Sequence, residues 1–108
     1  MVHMEASPKK FINERDFRAT VIGMARALGW MGYHPWISIH SEAGFPDLVL
    51  VRDGKLIFAE LKTEVGKLTE AQKEWIRQLA LCMDKSTCVV DVYVWRPSDM
   101  DKIEEILR

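Results

Sequence analysis

Asp47-Leu48-Val49-Leu50-Val51-Arg52-Asp53-Gly54-Lys55-Leu56-Ile57-Phe58-Ala59-Glu60-Leu61-Lys62 contains two apolar runs joined at Asp53-Gly54. Asp-Gly between β-type runs is the strongest short hairpin signal, because both central positions of the favoured turn need a positive φ. A two-residue turn there pairs Arg52 with Lys55 and fixes every pair behind it, so that Asp47 falls opposite Glu60. Facing residues have Cβ atoms about 4.5–5.5 Å apart, and Lys62, two residues past Glu60, shares their face. Two carboxylates and a lysine therefore converge at one end of the hairpin. The rest of that face is Val49, Val51, Leu56 and Phe58, and the other is Leu48, Leu50, Ile57, Ala59 and Leu61. With both faces apolar, the hairpin is expected to be central and covered on both sides. A slip of one residue would send Asp47 and Glu60 to opposite faces.

Unpaired charge in apolar surroundings is costly, so such groups have a partner, a metal or a chemical task. Two facing carboxylates repel unless a cation lies between them. Hard oxygen ligands suit Mg²⁺ or Mn²⁺, which keep several waters and take phosphate oxygens as co-ligands. The backbone carbonyl of Leu61 is a further available oxygen. An adjacent Lys62 could hold a substrate phosphate, orient or deprotonate an attacking water, or offset developing charge. Together these parts suit phosphodiester hydrolysis. The plainer alternative is a solvated cross-strand ion pair at a sheet edge, and the short pattern alone does not separate the two.

Two helices lead polar groups toward the same place. Residues from about Ile12 to Trp30 read as an amphipathic helix with Asn13 as N-cap and Phe17, Val21, Met24, Ala25 and Leu28 as its apolar stripe. Glu14 lies three before Phe17 and seven before Val21, so it extends the inward face, although an acid in a first helical turn also complements the dipole. A second helix runs from about Glu70 to Met83, with Trp75, Ile76, Leu79 and Met83 inward. Gln72 begins that face. It also completes the capping box Thr69-x-x-Gln72, so a cap and a contact to substrate or water compete for it. Trp36 to His40 reads as a strand and Ser41 to Gly44 as a loop, where Gly44 would permit close backbone approach to a phosphate or simply make a turn. Cys88 to Trp95 reads as a buried strand ended by Arg96-Pro97, with Ser98 capping a last helix that carries Asp101 at its third position.

The order helix, three strands, helix, strand, helix is an α/β sandwich with a mixed central sheet flanked by helices. The crossover from Lys62 to Cys88 through a helix should be parallel and right-handed. The 108 residues fit one domain, taken as residues 11–108 behind a loose tail at 1–10 that lacks a hydrophobic signal core. There is no long uncharged apolar run, so a membrane helix is not expected. Cys82 and Cys88 lack metal-type spacing and read as buried free thiols of a reducing compartment. A formal net charge of −1 argues against a non-specific nucleic-acid coat. Basic groups at Lys9, Lys10, Arg15 and Arg18, and at Lys67, Lys73 and Arg77, read most simply as solvated faces. Trp30, Met31, Tyr33 and Trp36 form an aromatic-rich group that could leave an apolar patch for a symmetric partner, whereas Trp75 and Trp95 read as core.

Glu14, Pro46-Asp47, Glu60-Leu61-Lys62 and Gln72, in that order, resemble the signature of the PD-(D/E)xK nuclease superfamily. The spacing and the Gln72-Lys73-Glu74-Trp75 helix look most like its virus-type replication-repair nuclease (VRR-NUC) domain, over about Phe11 to Pro97. The resemblance implies a restriction-endonuclease-like fold and a divalent-metal-dependent DNA endonuclease. It implies that Asp47, Glu60 and the Leu61 carbonyl bind Mg²⁺ or Mn²⁺, with Glu14 on the metal or its waters. Lys62 would be the catalytic lysine and Gln72 a supporting residue. Stand-alone members of this type look like phage or bacterial proteins, hence cytoplasmic in a bacterial or phage-infected cell. They resemble Holliday-junction resolvases and are expected to act as homodimers on branched DNA in replication or repair. The competing readings are a nuclease-like fold that only binds branched nucleic acid, and a protein-interaction domain.

Overall fold

A computed structural model describes residues 13–34, 43–82 and 89–108. In chain order the elements are α1 (Glu14–Ala27), β1 (Met31–Tyr33), β2 (Leu48–Arg52), β3 (Lys55–Leu61), α2 (Glu70–Ala80), β4 (Val89–Trp95), a 3₁₀ turn (Pro97–Asp99) and α3 (Met100–Leu107). The order is the expected α-β-β-β-α-β-α. Among the described residues, four strands form one mixed sheet in the order β1-β2-β3-β4, antiparallel except for the parallel β3–β4 pair made by the α2 crossover.

The hairpin register is the one that the turn dictates. Arg52 pairs with Lys55 and Leu48 with Ala59, so the next pair along is Asp47 with Glu60. Asp53 has φ 49° and Gly54 φ 80°, the two positive values that this turn requires. Leu48, Leu50, Ile57, Ala59 and Leu61 are buried beneath Phe17, Val21 and Ala25 of α1, Trp30, and Ile103 and Leu107 of α3. Burying each such side chain stabilises the fold by roughly 1.5–3 kcal/mol. Arg52 closes this layer. Its guanidinium lies 4.5 Å from the Trp30 ring and donates to the Leu28, Leu107 and Arg108 carbonyls.

The opposite face is less covered than its apolar sequence suggests. Phe58 packs edge-on against Phe45, which packs edge-on against Trp75 of α2. Toward the turn, however, Val51 is 42 % exposed, beside Met31 at 75 % and Tyr33 at 63 % on β1. The hairpin is central in the sheet, but only its Asp47/Glu60 end is roofed on that side.

Several expectations shift. α1 ends at Ala27 because Gly29, at φ 92°, turns the chain out of the helix. The first described strand is Met31–Tyr33, while the predicted strand Trp36–His40 lies outside the described residues. Trp30 leaves the aromatic surface group and joins the core, donating from Nε1 to the Leu107 carbonyl. Cys82 is exposed, not buried, because α2 ends at Ala80, and Cys88 lies outside the described residues. Ser98 does not cap the last helix. Pro97 starts a 3₁₀ turn, so the cap position falls on Asp99, whose carboxylate accepts the Arg96 N–H at 2.9 Å. Among the described residues no helix is long and apolar enough to cross a membrane.

Candidate active site

The sheet ends where β3 carries Glu60 and where, two residues past Glu60, Lys62 follows. Leu61 donates its backbone N–H to Asp47 Oδ2 at 3.0 Å, which pins Asp47 across the end of the hairpin. The Asp47 carboxylate lies close enough to Glu60 to act on its charge. Lys62 Nζ is 4.0 Å from Glu60 Oε2, with only 13 % of its side chain exposed. The three charges predicted to meet do meet.

Glu60 is the least solvated of them, at 2 % exposure, and its Oε1 has no hydrogen-bond partner among the described residues. Burial, then the neighbouring Asp47, push its pKa from 4.5 up to about 8, against the opposing pull of Lys62. Glu14 adds to the rise, so it belongs to the site's electrostatics. It stands on the first turn of α1, half-buried, 3.9 Å from Arg18.

Gln72 performs both of the roles that competed for it. Its Oε1 accepts the Thr69 N–H at 2.8 Å, and its own N–H donates to Thr69 Oγ1 at 3.1 Å, completing the capping box. The amide's other end then faces the sheet, where Nε2 donates to Glu60 Oε2 at 2.7 Å. The cap thereby fixes which end of the amide the carboxylate meets.

The loop before Asp47 is locked to α2. Gly44 has φ 87°, and a Cβ there would stand 2.4 Å from the Ala71 carbonyl carbon. Trp75 Nε1 donates to the Ala43 carbonyl at 3.1 Å. The backbone that Gly44 approaches is thus that of α2. Ser41, Glu42 and His40 lie outside the described residues.

Sequence reasoning missed Arg96. Its Nη1 donates to the carbonyls of Thr63 at 2.6 Å, Gly66 at 2.8 Å and Glu64 at 3.4 Å, gripping the loop that follows Lys62. The parallel register that sets Leu61 beside Trp95 brings Arg96 there, and only the residue after a strand adjacent to Lys62 could have hinted at it. Of the basic residues noted on the second helix, Lys73 pairs with Glu70 and Arg77 with Glu74.

Among the described residues no three His, Cys, Asp or Glu side chains form a ready-made metal cluster. The donors nonetheless fit a hard divalent cation. Two facing carboxylates, one with a buried oxygen lacking a partner, are a costly arrangement that a cation relieves.

A comparison with protein families matches the VRR-NUC domain over residues 31–97. No curated protein and no solved structure matches the chain.

Proposed function

The chain belongs to the VRR-NUC family, and we propose that it is a divalent-metal-dependent endonuclease that cuts phosphodiester bonds in branched DNA during replication or repair. The family carries the coarse reading, a nuclease domain acting on DNA. The observation that carries the finer one is Glu60, buried beside a second carboxylate with one oxygen unpartnered and a lysine 4.0 Å away. A structural ion pair would leave one acid for one base. Here two acids crowd one ammonium.

Asp47, Glu60 and the Leu61 carbonyl would hold Mg²⁺ or Mn²⁺, with Glu14 beside them. When bound, the ion supplies Lewis-acid polarisation of the phosphate and a more acidic water. The chain's own groups do the rest. Gln72 holds Glu60 Oε2 and so fixes the carboxylate's rotamer. The Leu61 N–H holds Asp47 Oδ2. Lys62 sits where its ammonium can bind a phosphate oxygen, orient the attacking water and offset the charge that develops on the phosphorane-like transition state.

Homodimerisation is part of the proposal. The open apolar strip of Met31, Tyr33 and Val51 supports it, because exposed patches of this kind mark association surfaces. Light scattering measures it directly.

The test is cleavage of labelled four-way junctions, flaps and linear duplex with Mg²⁺ or Mn²⁺, comparing wild type with Asp47→Asn. Asparagine still accepts the Leu61 N–H but withdraws a charge from the ion. We expect preferential cleavage of branched DNA, abolished in the variant. Junction binding without cleavage under either metal would instead leave a binding module.

A further inference from the structure

We propose that Arg96 is a positioning residue for Lys62. This rests on the nuclease reading for its functional consequence, but the structural link stands by itself. The loop from Thr63 to Gly66 follows Lys62 directly and has little regular structure of its own, beyond a Gly66 N–H to Thr63 carbonyl bond at 3.3 Å. It is held from outside. One guanidinium nitrogen of Arg96 gathers three of its carbonyls. Glu64 reaches across to accept the Ser98 N–H at 2.5 Å. Arg96 is itself fixed at the root by Asp99, which accepts its backbone N–H.

The loop's far end returns to the lysine it left. A Cβ built on Gly66 would lie 3.4 Å from Lys62 Cδ and 3.0 Å from Thr63 Oγ1. The backbone at Gly66 therefore lies against the lysine's methylene stem. The lysine's root is tied as well, through its N–H to the Trp95 carbonyl at 2.9 Å. Root and stem are thus both fixed by consecutive residues, Trp95 and Arg96, of one strand end. A lysine side chain has four rotatable bonds and loses much freedom when ordered. A loop that walls its stem removes that freedom ahead of the reaction, which is how positioning contributes to rate.

Guanidinium geometry explains why the residue is arginine. The three carbonyls meet at one terminal nitrogen, Nη1, and a lysine side chain, shorter by a bond, would hold its ammonium short of them. Arg96→Lys keeps the charge and loses the grip. Gly66→Ala disturbs the same contact from the other side without touching Arg96.

The experiment has two arms on metal-free and metal-loaded full-length protein. In the first, reductive methylation of Lys62 is timed by mass spectrometry in wild type, Arg96→Lys and Gly66→Ala, with Lys55 and Lys67 as exposed internal references. We expect Lys62 to react several-fold faster in both variants while the references do not change. In the second, steady-state cleavage is measured with Mn²⁺. We expect kcat to fall roughly 10–100-fold, the scale of a misplacement of about 1 Å, with KM for DNA and the Mn²⁺ midpoint unchanged. In a Lys62→Met background Arg96→Lys should cost nothing further, since residues acting through one another are not additive.

Wild-type labelling of Lys62 in both variants overturns the proposal, as does an undiminished loss of kcat in the Lys62→Met background. If Arg96→Lys fails to fold, Gly66→Ala decides alone. If the wild-type protein cuts no DNA with any metal, the nuclease reading fails, and the labelling arm still decides whether Arg96 orders Lys62.

Discussion

Replacing Glu60 by glutamine should stabilise the metal-free protein at alkaline pH and leave it unchanged in acid. Glu60 is nearly sealed from solvent, and burial and Asp47 raise its pKa from 4.5 to about 8. Between those values the folded chain keeps a proton that the unfolded chain has released. Folding stability is therefore full below pH 4.5 and is lost as pH rises through 8. A shift of that size is worth at most about 5 kcal/mol, at about 1.4 kcal/mol per unit. The Lys62 ammonium beside Glu60 and local relaxation trim the ceiling, so roughly 2–3 kcal/mol is the expected loss.

Glutamine resembles the protonated acid. Its carbonyl still accepts from Gln72 Nε2, and its amide can donate toward Asp47, so little should change at pH 5. Denaturant midpoints in EDTA, taken from pH 5 to pH 9, measure this. Wild type should lose those 2–3 kcal/mol, and Glu60→Gln should lose less than about 1 kcal/mol over the same range. At pH 9 the variant melts higher by roughly 10 °C. Mn²⁺ should restore wild type at pH 9, because a ligand of the native state stabilises it by mass action, and should do little for the variant. Parallel pH profiles for the two proteins would refute the electrostatic reading of the site.

Further outcomes follow from single contacts. Gln72→Glu keeps an acceptor for the Thr69 N–H but presents a carboxylate to Glu60 in place of a donor; it should fold normally at pH 5, lose stability by pH 8 and lose cleavage, checked by melts at both pH values and by single-turnover rates. Gly44→Ala should cost about 2–4 kcal/mol, because its Cβ would collide with the Ala71 backbone and its φ is positive, as denaturant titration will read. Arg52→Met should destabilise by about 2–3 kcal/mol, because the Leu28 and Arg108 carbonyls lose their Arg52 donor and the Trp30 ring loses its cation, with no change in the Mn²⁺ midpoint measured alongside.

What the sequence made legible is what local chemistry decides. The Asp53-Gly54 turn sets the register of everything from Arg52 back to Asp47, so the meeting of Asp47, Glu60 and Lys62 could be derived to the residue. Asn13 and Thr69 cap where their side chains say they should, since each serves N–H groups two or three residues away. What escaped depends on distant partners or on too few residues. Three exposed residues, Met31 to Tyr33, carry no periodicity, so nothing marked them as a strand. The last helix slipped by one residue because Pro97 opens a 3₁₀ turn before it. Arg96 depends on which residue of β4 the parallel register sets beside β3, a fact no spacing along the chain contains.

The same distinction accounts for glutamine, not glutamate, at position 72. Either residue completes a capping box, and an acid would also suit the positive end of the helix. The cap consumes one acceptor and leaves the other end of the side chain facing Glu60. An acid there would add a third carboxylate to a pair already short of positive charge. An amide offers its N–H instead, so the helix start that α2 needs locally also supplies Glu60 with a donor. The site's cost is carried in this way by groups whose first task is to build the fold: the Leu61 amide in the hairpin, Gln72 in the cap, Trp95 and Arg96 at the end of the last strand. Local propensity and site chemistry agree at Gln72, and the strain that remains is concentrated on one oxygen, Glu60 Oε1, where a bound cation would be most favoured.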